Sequence, residues 1–286
     1  MAAGLGLAPA ADASASARFA VKGDWGWGGA EQAAVTRRMC REHARAPFAF
    51  VLTTGDNFYH PNGEATGDNW VRPERCLRSA RVPWRAAWGN HDLGGSATAD
   101  VLGARARWYR FRAGPATVVV LDGNRPDDPA QLRFLRGALA RAAGTVPIVA
   151  FHQPVYTAGL HAGGAKQQRR WAPLFRRYRV ALVLQGHNHQ YERIRRGGVT
   201  YITTGGGGAP VYPCVRLLTS GLERCVPVHH FLAITVTPGA LDVRAVGVRG
   251  QTIERVRLPG RGVSASGRTP RVATAAAHAV ATRTVS

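Results

Sequence analysis

The sequence predicts an α/β layered fold built on one large β-sheet or a pair of sheets. Two observations carry that expectation. From residue 18 to about 184, short apolar runs alternate with amphipathic stretches, the grammar of strand followed by helix. Beyond residue 184 the helical period disappears, and strand-like runs follow one another through turns such as Pro238-Gly239. Strands alternating with helices first, and strands alone last, place helices against a sheet that is then extended by hairpins.

The elements follow in order. Residues 18–23 read as a strand and 30–45 as a helix; 48–53 is a strand, 68–80 a helix and 82–88 a strand. Residues 117–121 are a Val-rich strand, and a helix over 129–142 starts behind Asp127-Asp128, whose carboxylates suit a first turn. A strand at 146–151, a helix at 166–178 and a strand at 180–184 complete the alternating part. The runs 199–204, 231–237, 241–248 and 252–258 are the closing strands. These elements lie within one expected domain, 18–258. Residues 1–17 are expected to be a leader and the Ala/Thr/Arg-rich 259–286 a disordered tail.

Composition bounds the function. A chain of 286 residues with 45% hydrophobic and 8% aromatic residues can bury a core and is not wholesale disordered. No uncharged apolar run reaches the roughly 18 residues of a membrane span. Lys and Arg together number 38 against 17 acids, a formal charge of +21, and only Lys22 and Lys166 are lysines, leaving 36 arginines. That field gathers anions, whether phosphorylated substrates, nucleic acid or anionic surfaces, and does not choose among them. The leader carries Ala-x-Ala-like sites at Ala11-Asp12-Ala13 and Ala13-Ser14-Ala15 without a basic start or a long apolar core, as in the end of a secretory signal. Cys214 and Cys225 flank a short basic segment and suggest one disulfide, with Cys40 and Cys76 the second pair; four buried thiols are the alternative. Export, to the periplasm or the exterior, is the expected destination.

The chemistry sits at the ends of the predicted strands. One after another they terminate in Gly23-Asp24-Trp25-Gly26, Gly55-Asp56-Asn57-Phe58-Tyr59, Gly89-Asn90-His91-Asp92, Phe151-His152-Gln153-Pro154 and Gly186-His187-Asn188-His189. The C-terminal ends of strands are where α/β sheets place their sites, and each glycine is expected to let the backbone turn sharply there. Carboxylates, imidazoles and an Asn carbonyl with no thiolate suit hard or borderline metal ions. The donors outnumber the needs of one ion; two, about 3.5–4 Å apart and sharing a carboxylate, would use them all. No dinucleotide fingerprint, P-loop or Gly-x-Ser-x-Gly elbow competes.

In this order the five blocks resemble the metallophosphoesterase signature, and more narrowly that of the small, mammalian-type purple acid phosphatases. Tyr59 of the Gly-Asp-x-x-Tyr block and Arg81-Val82-Pro83-Trp84 before Gly89-Asn90-His91-Asp92 narrow it. The resemblance implies a four-layer sandwich, two mixed β-sheets flanked by helices. It implies that Asp24, Tyr59 and His189 bind a first metal, Fe(III), that Asn90, His152 and His187 bind a second, Fe(II), Zn or Mn, and that Asp56 bridges them. It further implies an acid phosphatase that hydrolyses phosphomonoesters with a metal-activated hydroxide. His91 is the general acid, with Asp92 to orient it, and His161 a second candidate. Small phosphorylated substrates and a monomeric state, with no membrane partner, complete the expectation. A phosphodiesterase or nuclease using the same metals is the alternative, and a non-catalytic phosphate- or metal-binding protein is a rival from another class. Trp25 and Trp27 either wall the pocket or simply pack. The run Gly205–Gly208 either approaches the metals or turns the chain, and residues 211–227 have no counterpart in the family pattern.

Overall fold

The structure is a computed structural model that describes residues 16–260. Nearly all of the expected leader and the expected tail beyond residue 260 lie outside the described residues. Among the described residues the elements run β1 (Ala17–Lys22), α1 (Ala30–Arg45), β2 (Val51–Thr53), α2 (Arg75–Ser79), β3 (Trp84–Ala86), α3 (Ala97–Asp100), β4 (Tyr109–Ala113), β5 (Ala116–Val120), α4 (Pro129–Ala140), β6 (Val146–Ala150), α5 (Ala165–Arg170), α6 (Ala172–Arg177), β7 (Leu182–Gln185), β8 (Tyr191–Arg196), β9 (Val199–Thr204), β10 (Leu222–Val226), β11 (His230–Thr237), β12 (Ala240–Gly247) and β13 (Thr252–Pro259).

The strands form two mixed sheets. The first has the order β13-β12-β11-β1-β2-β3 and the second β10-β8-β9-β7-β6-β5-β4. In each sheet the site-bearing strands run parallel, β1, β2 and β3 in one and β5, β6, β7 and β9 in the other. Alternate residues of the two sheets meet in a central core that includes Val21, Leu52, Val118, Ile148, Leu184, Ile202 and Ile234. The outer face of the second sheet packs on α4 and α6 through Val119, Leu135, Leu139, Val149 and Phe175. The outer face of the first packs on α1 and α2 through Ala20, Val35, Met39 and Leu77. These are the four layers. β5 and β6 are buried at every position because they are covered on both faces, which is why they read as unbroken apolar runs.

Local chemistry explains most boundaries. Asp128 caps α4 by accepting from the Ala130 and Gln131 N–H groups, and Pro129 occupies the first turn, where no donor is needed. Two expected helices are broken. Residues 68–80 fold as a π-helical turn, Gly67–Val71, followed by α2, and 166–178 fold as α5 and α6. Pro73 and Pro173 account for both breaks: each lacks the N–H that a continuous helix needs and crowds the preceding turn. The strand expected at 82–88 shortens to β3, while β4, β8 and β10 are strands that the apolar pattern does not announce.

Disulfides Cys40–Cys76 and Cys214–Cys225 are both formed. The first ties α1 to α2 and the second closes the segment leading into β10. At the end of β1, Lys22 is fully buried with its Nζ 2.7 Å from Glu74 Oε1, an atom that also accepts from Gln32 Nε2 and Thr36 Oγ1. The Trp25 ring lies 4.1 Å from the same ammonium. Burial lowers the pKa of Lys22, and Glu74 opposes that shift.

Candidate metal centre

The parallel strands end on the same side of both sheets, so the loops after β1, β2, β3, β6 and β7 converge. Asp24 and Asp56 at the ends of β1 and β2, and His187 at the end of β7, have positive φ (56°, 48° and 70°), half of the six non-glycine residues that do so among the described residues. Left-handed backbone costs a non-glycine residue of order 1–3 kcal/mol and persists where neighbours over-determine it. Here they do. The Asp24 N–H donates to Gly55 O at 3.0 Å, the Trp25 N–H to Asp56 O at 3.1 Å, and the His187 N–H to both Asp24 carboxylate oxygens at 3.0 Å. Three of the four preceding glycines serve a different purpose from the sharp turn expected of them. Of Gly23, Gly55, Gly89 and Gly186, only Gly55 has positive φ. Gly89 is required by close approach, since a Cβ there would lie 2.1 Å from Asp56 Oδ1.

Two clusters meet at Asp56. In one, His152 Nε2 lies 3.0 Å from Asn90 Oδ1, 3.2 Å from Asp56 Oδ2 and 3.2 Å from His187 Nδ1. One donor atom each from Asp56, His152 and His187 fall within 4.8 Å of one another. In the other, the Tyr59 hydroxyl lies 3.1 Å from Asp56 Oδ2, 3.3 Å from Asp24 Oδ1 and 3.0 Å from His189 Nε2. His187 and His189, two apart in sequence, therefore face different clusters, split by the left-handed turn at His187.

The residues fit metal ions. His152 Nδ1 is 2.9 Å from Thr54 O and His189 Nδ1 is 2.7 Å from Pro210 O, so each Nδ1–H donates to a carbonyl and each Nε2 lone pair faces the centre. That second hydrogen bond is how proteins orient metal-binding imidazoles. One phenolic hydrogen cannot satisfy two carboxylates and an imidazole lone pair, a surplus of acceptors that suits bound cations. The electrostatics agree. Burial pushes the Asp56 carboxyl up, but His152 outweighs it and holds Asp56 well below the usual range. Burial opposes charge on His152, yet the Asp56 and Asp24 carboxylates raise it to about 9. Burial, reinforced by His152 and His161, lowers His187 to about 3. Burial and the same two carboxylates raise Tyr59 well above an ordinary phenol.

The acid candidates flank this centre. His91 is exposed, with its ring 4.4 Å from the Tyr59 ring and its main-chain N–H donating to Asp56 Oδ1 at 2.9 Å. His161 is exposed, with its ring 4.6 Å from His187. The expected role of Asp92 needs correction. Its buried carboxylate accepts from the Asn57, Phe58 and Gly89 N–H groups and from Asn57 Nδ2, and among the described residues no hydrogen bond joins it to His91. Four donors saturate it, so it braces the Asp56 loop instead. Burial, then Asp56, push its pKa to about 6.

The glycine run does approach the centre: Gly207 N–H donates to Gly23 O, Ala209 N–H to Asp24 O, and a Cβ on Gly205 would lie 2.8 Å from Asp24 Oδ2. The two tryptophans divide the alternatives, since Trp25 is buried packing while Trp27 is 51% exposed and meets the Tyr59 ring edge-on at 5.2 Å. A hollow of about 490 Å³, lined by Trp27, Tyr59, His60 and Asn69 among others, opens there.

Sequence reasoning missed Tyr212. Its ring lies parallel to His189 at 4.0 Å and 5.4 Å from His161, and its N–H donates to His189 O. The only signal was its place in the segment without counterpart. That segment also grips the His161 loop, with Arg216 bonded to Gly159 O and Leu160 O, and Thr219 Oγ1 to Thr157 O.

A model of the calcineurin-like phosphoesterase family matches residues 17–191. Tartrate-resistant acid phosphatase type 5 of Oryctolagus cuniculus is 26% identical, covering 87% of this chain and 93% of its own length. Purple acid phosphatase 7 of Arabidopsis thaliana is 26% identical, covering 69% of this chain and 71% of its own. The structure of purple acid phosphatase PPD1 from yellow lupin (Lupinus luteus) seeds superposes with a TM-score of 0.70 at 18% identity, covering 85% of this chain and 54% of that one. With these matches beside the geometry, the chain belongs to the calcineurin-like phosphoesterase family and is a metal-dependent hydrolase of phosphoric esters of the acid phosphatase kind.

Proposed function

We propose that the enzyme hydrolyses phosphomonoesters at a dinuclear centre, with Asp24, Tyr59 and His189 holding one ion, Asn90, His152 and His187 the other, and Asp56 shared. The observation that carries this reading is the meeting of two donor clusters at one carboxylate, Asp56, 3.1 Å from the Tyr59 hydroxyl and 3.2 Å from His152. Oxygen and nitrogen donors with a single phenol suit Fe(III) beside Tyr59 and Fe(II), Zn or Mn at the other position. When bound, such ions supply Lewis-acid charge for phosphoryl oxygens and acidify a water to a nucleophile.

The chain's own residues do the rest. His152 and His189 stay pointed at the centre through Thr54 O and Pro210 O. Asp92 keeps the Asp56 loop closed by taking its backbone N–H groups. His91 sits at the mouth, tethered through its main-chain N–H to Asp56 so that its imidazole is free, and delivers the proton that the leaving oxygen needs; His161, on the flank by His187, shares that duty. The hollow beside Trp27 gives the leaving group room. Two disulfides support an exported enzyme.

The test compares turnover of an aryl phosphomonoester and a phosphodiester by metal-replete protein near pH 5, in wild type, Asp56→Asn and His91→Ala. A strong monoester preference, abolished by Asp56→Asn and reduced at least about a hundredfold by His91→Ala, is expected. A diester preference would move the activity to a phosphodiesterase, and unchanged turnover in both variants would overturn the site.

A further inference from the structure

At the end of the sandwich opposite the metal centre lies a cavity of about 430 Å³ lined by Arg176, Arg179, Arg195 and Arg257. The four come from separate places: the last turn of α6, the turn into β7, the end of β8 and the end of β13. The cavity therefore bridges both sheets. Its remaining lining is neutral, the β8–β9 turn with Gly197 and Gly198, Thr200, and the apolar Val180, Ala181 and Leu258, with no acidic side chain.

In a chain with 36 arginines an exposed arginine is ordinary; four converging on one hollow without a counter-charge are not. The molecule itself supplies the contrast. Another arginine-lined hollow, formed by Arg18, Arg244 and Arg255, contains Asp242, and each of its arginines is paired: Arg255 with Asp242, and Arg18 and Arg244 with Glu42. Among the described residues no ion pair involves any of the four arginines at the far end, although ten other arginines have one. Like charges gathered in a concave hollow repel and raise the local potential, an arrangement that an anion relieves. The local backbone makes room for it. Gly197 has a φ of 59°, and a Cβ there would come within 2.4 Å of Arg176 Cδ, so the glycine turn lets the Arg176 stem cross it. Arg179 is itself held in a left-handed turn at φ 51°. Guanidinium groups are the side chains best matched to phosphate oxygens, because their donors form a planar fork.

We infer that this cavity is a second anion site, for a compact ligand bearing two or more phosphate or sulfate groups, separate from the metal centre. From Ala181 at its wall to His187 is six residues of strand and turn, about 20 Å at the strand rise. A compact ligand held by the arginines cannot reach the metals, so the site binds without hydrolysing.

The probe is myo-inositol hexasulfate, which offers clustered sulfate charge and no phosphoric ester for the metal centre to cleave. Its binding to the metal-replete protein is followed by calorimetry and by thermal shift at fixed ionic strength. Three proteins are compared: wild type, Arg179→Gln/Arg257→Gln in the cavity, and Arg37→Gln/Arg41→Gln on the exposed face of α1, which removes the same charge elsewhere. One-to-one binding in wild type and the α1 variant, weakened at least about tenfold in the cavity variant with aryl phosphate turnover unchanged, is the expected result. Equal weakening in both variants would reduce the effect to the field of the whole protein and overturn the site. So would affinity unchanged in the cavity variant, or no saturable binding in wild type. Melting of each variant without probe separates a folding defect from a lost site, and in that event Arg195→Gln alone replaces the double variant under the same criteria.

Discussion

Replacing Lys22 by methionine should destabilise the enzyme strongly, and the reason lies in Glu74 rather than in the lysine. Both side chains have no solvent exposure, and their charged atoms are 2.7 Å apart. Lys22→Met keeps most of the volume and the stem, but leaves the Glu74 carboxylate buried with only the neutral donors Gln32 Nε2 (3.0 Å) and Thr36 Oγ1 (2.9 Å). Breaking one side of a buried pair costs about 3–5 kcal/mol, most of it the uncompensated charge. At about 2–4 °C per kcal/mol for a domain of this size, the melting temperature should fall by roughly 10 °C. Adding Glu74→Gln removes the charge while its amide oxygen still accepts from Gln32 and Thr36. The other carboxylate oxygen of Glu74 has no partner to lose. The double variant should therefore recover all but about 2 kcal/mol, the residue being the lost cation–π contact with Trp25, 4.1 Å from the ammonium. Urea unfolding of metal-replete wild type, both single variants and the double gives the coupling energy directly. A Lys22→Met protein as stable as wild type, or a double variant no better than the single, would show that the unpaired Glu74 charge is not what destabilises the variant.

Three further outcomes are expected. His230 is fully buried, with Nδ1 donating to Val228 O (2.9 Å) and Nε2 facing Thr204 Oγ1 (3.1 Å), and burial lowers its pKa to about 4. Because the unfolded chain takes that proton from about pH 6.5 downward, stability should decline between pH 6.5 and 4 by about 3 kcal/mol, and urea midpoints of His230→Gln should lose that slope. Gly89→Ala forces a Cβ to 2.1 Å from Asp56 Oδ1 and should lower activity about a hundredfold with depleted metal content by elemental analysis, while circular dichroism stays native. Tyr212→Ala should lower kcat/KM and metal affinity about tenfold by freeing His189, 4.0 Å away in parallel stacking, whereas Tyr212→Phe, which keeps the ring, should leave both near wild type.

Much of this was legible from residue order. The five donor blocks stand at strand ends because a parallel sheet delivers its loops to one side, so Asp24, Asp56, Asn90, His152 and His187 announce a shared site before any distance is known. Period and turn residues announced the switch from alternating to antiparallel architecture. They failed in two ways: an amphipathic period ran across a proline breaker, and a polar strand carried no local signal. Two helices broke at Pro73 and Pro173, and β8, with the polar sequence Tyr-Glu-Arg-Ile-Arg-Arg, is a strand only because β9 and β10 flank it.

Sequence alone determined the kinds of donor atom and the end of the sheets at which they gather, since both follow from residue identity and chain direction. Which atoms meet, and by what backbone path, is set by packing. The left-handed turn at His187 sends it to His152 while His189 goes to Tyr59. Asp92 is taken up by the backbone of Asn57, Phe58 and Gly89 instead of His91, and Tyr212 reaches His189 from 23 residues away in sequence. Such pairings depend on how two sheets close on one another, a long-range contact that no local pattern of side chains encodes.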